Sequence, residues 1–157
     1  MDPCYPKEPI CKDGRNENTP FYYSYTIVFS ELGVRLPLDP FEKELLSTIN
    51  IAPAQLHPNS WAFVRAFHIL CTHLGIVPST NMFFYFFESK TSGCSSWTFI
   101  STFNNRVLVT EYQSSYKHFK RKLLKICSSP NRPNILEGFH LYWLGSPYPS
   151  RVARVKI

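Results

Sequence analysis

The run His57-Pro58-Asn59-Ser60-Trp61-Ala62-Phe63-Val64-Arg65-Ala66-Phe67-His68-Ile69-Leu70-Cys71-Thr72-His73-Leu74-Gly75 reads as one well-delimited helix. Asn59 is the expected N-cap, its side-chain oxygen accepting from a first-turn amide that has no intrahelical partner. Pro58 cannot extend a helix backward. Gly75 suits the left-handed residue that closes the last turn, and Pro78 follows within three residues. Trp61, Val64, Phe67, Cys71 and Leu74 recur at three- and four-residue steps and share a stripe. Phe63, Ala66 and Leu70 widen that stripe beyond the apolar face of an ordinary surface helix. A helix this apolar is buried on most sides, so its neighbours are built around it.

Upstream of it, Leu38-Asp39-Pro40-Phe41-Glu42 opens a second helix. Asp39 caps, Pro40 stands at the first helical position where its missing N–H is harmless, and Glu42 completes an acidic capping box. Phe41, Leu45, Leu46 and Ile49 form the inward face of a helix ending near Asn50, with Leu38 as a staple. Ser79 or Thr80 can cap another helix through Asn81-Met82-Phe83-Phe84-Tyr85-Phe86-Phe87-Glu88, although five aromatics in a row also suit a buried strand. Phe21 to Phe29 is β-rich by propensity, yet it does not alternate, and a buried helix running on to Leu32 fits equally well. Trp97–Ser101 and Arg106–Thr110 flank Asn104-Asn105, a hairpin signal. Tyr116 to Ile126 reads as an amphipathic basic helix, and Phe139 to Trp143 as a last short apolar element.

The fold expected is therefore α+β: a mostly helical single domain of three to five helices around a central buried helix at about 59–74, with a small β-hairpin near 97–110. Residues 1–20, rich in Pro, Asn and charge, read as a flexible N-terminal arm. The domain proper covers 21–149, and 150–157 form a short basic tail. At 157 residues the chain is long enough for one core. No run of about eighteen apolar residues exists for a membrane span, and Met1-Asp2-Pro3-Cys4-Tyr5-Pro6 lacks the order of a signal peptide. An intracellular chain, cytoplasmic or nuclear, is expected. The five cysteines (Cys4, Cys11, Cys71, Cys94, Cys127) contain no Cys-x-x-Cys pair and read as free thiols.

Chemistry is sparse in this chain. His68, Cys71 and His73 lie close in sequence near His57, but the 3.6-residue period turns His73 away, and four convergent ligands are lacking. No metal and no cofactor are expected. No Gly-x-Ser-x-Gly, His-Glu-x-x-His or phosphate-cradling Gly-rich loop occurs. Asp39 and Glu42 are explained by capping and Glu44 by a solvated helix face, which leaves no carboxylate set for metal-assisted strand transfer. No catalytic residue, no enzyme and no small-molecule substrate are expected.

Charge gives the functional signal. Residues 1–105 carry seven Lys/Arg against nine Asp/Glu, a net −2, whereas residues 106–157 carry ten against two, a net +8. Lys117, Lys120, Arg121, Lys122 and Lys125 concentrate five of these cations opposite Tyr116, Phe119, Leu123 and Ile126. Such a helix can lie along phosphates, with RNA or DNA as partner. The bland reading of the same pattern is a solvated outer face on a host protein-interaction domain that binds no nucleic acid.

A resemblance enters at Gly33-Val34-Arg35-Leu36-Pro37-Leu38 and at Asn50-Ile51-Ala52-Pro53-Ala54-Gln55-Leu56-His57-Pro58-Asn59-Ser60-Trp61-Ala62-Phe63. It continues through Phe83–Phe87, Ser96-Trp97, Tyr116–Lys120 and Phe139–Trp143. Over about Phe21 to Pro149 the chain resembles the gypsy-type transposon domain of plants, found in proteins encoded by or derived from LTR retrotransposons. The resemblance implies a non-enzymatic, Gag-adjacent structural or assembly module, with self-association among its expected interactions and no catalytic residues to carry over. Members often continue into coiled coils, so the short tail implies a truncated or degenerate copy. Leu123-Leu124 departs from the aromatics usual at that point.

Overall fold

A computed structural model of the chain describes residues 2–3, 19–92, 97–109, 116–119 and 122–143. Its regular elements are β1 (Asp2–Pro3), β2 (Phe21–Tyr25), α1 (Thr26–Ser30), α2 (Pro40–Ile49), α3 (Pro58–His73), α4 (Thr80–Phe86), β3 (Phe87–Thr91), β4 (Thr98–Thr102) and β5 (Leu123–Cys127), with 3-10 turns at Pro53–Gln55 and Pro133–Leu136. The class is α+β. Two antiparallel sheets flank the helices, one ordered β1-β5-β2 and the other pairing β3 with β4.

The α2 helix forms as its sequence dictates. Asp39 accepts from the Glu42 N–H at 2.9 Å, and Glu42 Oε2 accepts from the Asp39 N–H at 3.1 Å. The helix closes on Asn50 in the left-handed region, φ 56°. At the end of α3, Gly75 takes φ 67°. The Gly75 N–H bonds to Thr72 O and the Ile76 N–H to Cys71 O, which together satisfy two carbonyls that the helix end would orphan. Its beginning differs from expectation. The helix starts at Pro58 and His57 is the cap, its Nδ1 accepting from the Asn59 N–H at 3.1 Å. The Asn59 side chain serves a distant segment instead, its Oδ1 accepting from the Tyr116 N–H.

Trp61, Val64, Phe67 and Cys71 are buried along one face of α3, against Phe41, Leu45, Leu46 and Ile49 of α2 and Phe83 of α4. Phe67 meets Phe41 at 5.4 Å and Phe83 edge-on at 5.2 Å between ring centroids. Leu74, expected in this stripe, is exposed because it lies beyond the last helical residue. Buried polar groups tie the layers: Trp61 Nε1 donates to Pro53 O, and the Ile100 N–H of β4 donates to Ser60 Oγ at 2.8 Å.

The non-alternating stretch from Phe21 resolves into both of the structures its sequence allowed, strand to Tyr25 and helix from Thr26. All five strand residues are buried because both faces of β2 are covered. Phe21, Tyr23 and Tyr25 enter the main core, while Tyr22 joins Ile126 and Ile135 in a second cluster. The aromatic run after Ser79 likewise divides, into α4 and then β3.

The expected hairpin over 97–110 is corrected. β4 holds its first half, but its partner is β3, in register Phe87↔Thr102 to Thr91↔Thr98. Asn104 and Asn105 do turn, at φ 47° and 55°, but residues 106–109 form no strand. The expected basic helix is corrected too, since Leu123–Cys127 is a strand. It pairs antiparallel with β2 from Tyr25↔Leu123 to Phe21↔Cys127, and Asp2 and Pro3 pair on its other edge with Lys125 and Leu124. The rest of the arm up to residue 18 lies outside the described residues, as do 93–96, 110–115, 120–121 and everything after 143. Phe139 to Trp143 packs irregularly against both clusters.

Candidate nucleic-acid interface

The segment leading into β5 positions the cations. His118 takes a left-handed φ of 60°, and the Lys122 N–H bonds to Phe119 O at 3.0 Å, closing a turn. The Thr26 N–H then holds Lys122 O at 2.8 Å. Lys117 and Lys122 are exposed on either side of Phe119, which is buried. Lys125 stands differently, its Nζ 3.9 Å from the centroid of the Phe21 ring. Lys120 and Arg121 lie outside the described residues. A helix would have spread the five over its outer side; here Lys125 lies within β5, whose side chains alternate, and Lys122 just before it.

An aromatic cluster surrounds Phe119. Its ring lies 4.9 Å from those of Tyr25 and His57 and 5.5 Å from Trp97. His57 stacks on Phe99 at 4.9 Å and 29°, and Trp143 lies 6.3 Å from Trp97. His57, Trp97, Phe99 and Trp143 are all half-buried. Sequence reasoning gave these rings no functional role. The only signal available was aromatic abundance, because their partners lie tens of residues apart.

A second constellation was legible only in parts. His68 Nδ1 lies 2.8 Å from Asp39 Oδ2 and 3.3 Å from Arg65 Nη1, so a proton on Nδ1 points to the carboxylate. Arg65 Nη1 is also 3.9 Å from Glu42 Oε1, and its Nε donates to Leu32 O. Glu42 is 2% exposed. Burial, and then the Asp39 charge, push its carboxyl up to about 7, while its bond from the Asp39 backbone and the nearby Arg65 pull the other way. One atom from each of Asp39, Glu42 and His68 lies within 4.8 Å of the others. The geometry nevertheless reads as an interhelical tie. Arg65 already supplies the counter-cation, and both carboxylates accept from backbone amides. Of the two residues considered beside His68, Cys71 is in the core, where burial raises its thiol pKa, and His73 is exposed.

Other acids are engaged as well. Glu44 accepts from the Thr80 hydroxyl at 2.8 Å and Glu88 from Lys90 at 2.7 Å. Beyond the tie, the end of α3 presents apolar surface: Ile69 is 57% exposed, Leu74 59%, Ile76 42% and Val77 84%. Beside them Arg65, His68, Ile69, Thr72 and His73 line a depression of about 350 Å³. Among the described residues no helix is long and apolar enough to cross a membrane.

No curated protein matches the chain, and no solved structure does. A family model does match, over residues 25–91, and its description names no catalytic activity. The match runs from the last residue of β2 to the last of β3; it takes in the α2–α3 tie and stops before Trp97 and the basic third. That family is described as "Putative gypsy type transposon", and it is this segment, residues 25–91, that is similar to it.

Proposed function

We propose that the chain is a non-enzymatic, retrotransposon-derived assembly module that contacts nucleic acid through the cations around β5. The observation that carries this reading is the placement of Lys117 and Lys122, both exposed beside one turn, in the third of the chain with net charge +8. Cations in that position neutralise phosphates and release counterions, so affinity falls with salt. The non-enzymatic part is supported by the use of Asp39, Glu42, Glu44 and Glu88 in a cap, a tie and hydrogen bonds, which leaves these four poorly placed to hold reacting groups.

Replacement of Lys117, Lys120, Arg121, Lys122 and Lys125 together by Gln tests the reading. Wild type should bind RNA or DNA with a negative slope of log affinity against log salt. Every phosphate that the variant no longer neutralises should flatten that slope by roughly 0.7–0.9. Equal binding and equal slope in the variant would remove these residues from the interface.

A second reading, a protein-interaction domain that binds no nucleic acid, is favoured by Ile69, Leu74, Ile76 and Val77. Contiguous exposed apolar surface, where it exceeds what ordinary monomers show, marks association sites on soluble proteins. Light scattering of wild type and Val77→Asp separates the two. Self-association that disappears in the variant, with no nucleic acid bound by wild type, would favour this second reading.

A further inference from the structure

We propose that the aromatic cluster beside Lys117 and Lys122 is a stacking platform for the bases of a single-stranded nucleic acid. The proposal rests on the nucleic-acid reading above and adds the class of strand that the site takes. His57 comes from the cap of α3, Trp97 and Phe99 from β4 and its approach, and Trp143 from the segment after the second 3-10 turn. Tertiary structure brings the three segments together, and the buried Phe119, which follows the exposed Lys117 and precedes the exposed Lys122, packs against His57 and Trp97. These four are half-buried, with Trp97 and Trp143 packed against the core and part of each residue left at the surface.

Sequence-tolerant binding of single strands needs two things side by side: cations that follow the backbone and flat rings that accept the faces of unstacked bases. Both are present within the neighbourhood of one turn. A duplex keeps its base faces inside its own stack, so it can use the lysines but not the rings. The site should therefore prefer single strands to duplex, and strands with bases to strands without.

The test uses the full chain and probes of about 12 nucleotides, a length one such module can track: oligo(dT), oligo(U), an abasic deoxyribose strand and a duplex. Tryptophan fluorescence reads the site, because Trp61 is enclosed and Trp97 and Trp143 are not. Oligo(dT) or oligo(U) should quench the emission and bind at least about tenfold tighter than the abasic strand, as one stacked base implies. Which of the two binds tighter identifies the source as DNA or RNA. Trp97→Leu with Trp143→Leu should abolish that advantage in a chain whose melt remains cooperative. The comparison of probes on wild type does not depend on the variant folding. Equal affinity for abasic and base-bearing strands, without quenching, would overturn the platform and leave the cationic interface standing. No salt-dependent binding of any probe would overturn both.

Discussion

Glu42 allows one prediction to be carried to a magnitude. Its carboxyl is enclosed between α2 and α3 with Asp39 beside it, and its pKa is pushed from 4.5 up to about 7. The folded state therefore holds the proton more tightly than the unfolded chain does. The sign follows from linkage: this contribution to stability is full below about pH 4.5 and is lost as pH rises through about 7. A shift of this size, at about 1.4 kcal/mol for each unit, corresponds to about 3 kcal/mol across that window. Glu42→Gln keeps a side-chain oxygen to accept from the Asp39 N–H and carries no charge at any pH. Urea unfolding of both proteins between about pH 4.5 and 7.5 isolates the effect, since every other titrating group is common to the two. Wild type should lose stability relative to the variant by about 3 kcal/mol as pH rises. Parallel pH profiles would refute the buried-carboxyl reasoning, and a wild type that gains relative stability with pH would reverse its sign.

Two further predictions concern the frame of the site. Trp61→Ala removes the largest enclosed side chain of α3 and should destabilise by about 3–5 kcal/mol in chemical denaturation; an unchanged midpoint would remove this helix from the centre of the fold. Ser60→Ala leaves the buried Ile100 N–H without its acceptor and should lower stability by about 1–3 kcal/mol, with faster amide exchange at Ile100 as the local signature; protection equal to wild type there would show that another acceptor takes over.

What the sequence made legible was local. The Asp39–Glu42 box, Pro40, Asn50 and Gly75 are read from interactions within one turn, and each stands where its chemistry put it. The cap of α3 lies two residues before the position its sequence suggests, because Pro58 fits the first turn of a helix as well as the position before one. The strands after residue 90 depended on partners that no local pattern names. β4 pairs with β3, to which a short connection joins it, and Arg106-Val107-Leu108 forms no strand despite a comparable propensity. Leu123 to Cys127 has apolar groups at spacings that satisfy either period, and pairing with β2, about a hundred residues earlier, settled it. The site shared that difficulty. The cations were visible as a charge run, but the rings around Phe119 and the approach of His68 to Asp39 exist only once distant segments pack.

On the proposed function, the turn into β5 is where the chain meets nucleic acid. Ultraviolet crosslinking of the full chain to oligo(U) and oligo(dT), with crosslinked peptides identified by mass spectrometry, tests it directly. Crosslinks should concentrate between Tyr116 and Cys127 and at the neighbouring rings of His57, Trp97, Phe99 and Trp143, and weaken with added salt. Crosslinks confined to the α3 face around Ile69, or none above those of a neutral control protein, would contradict it.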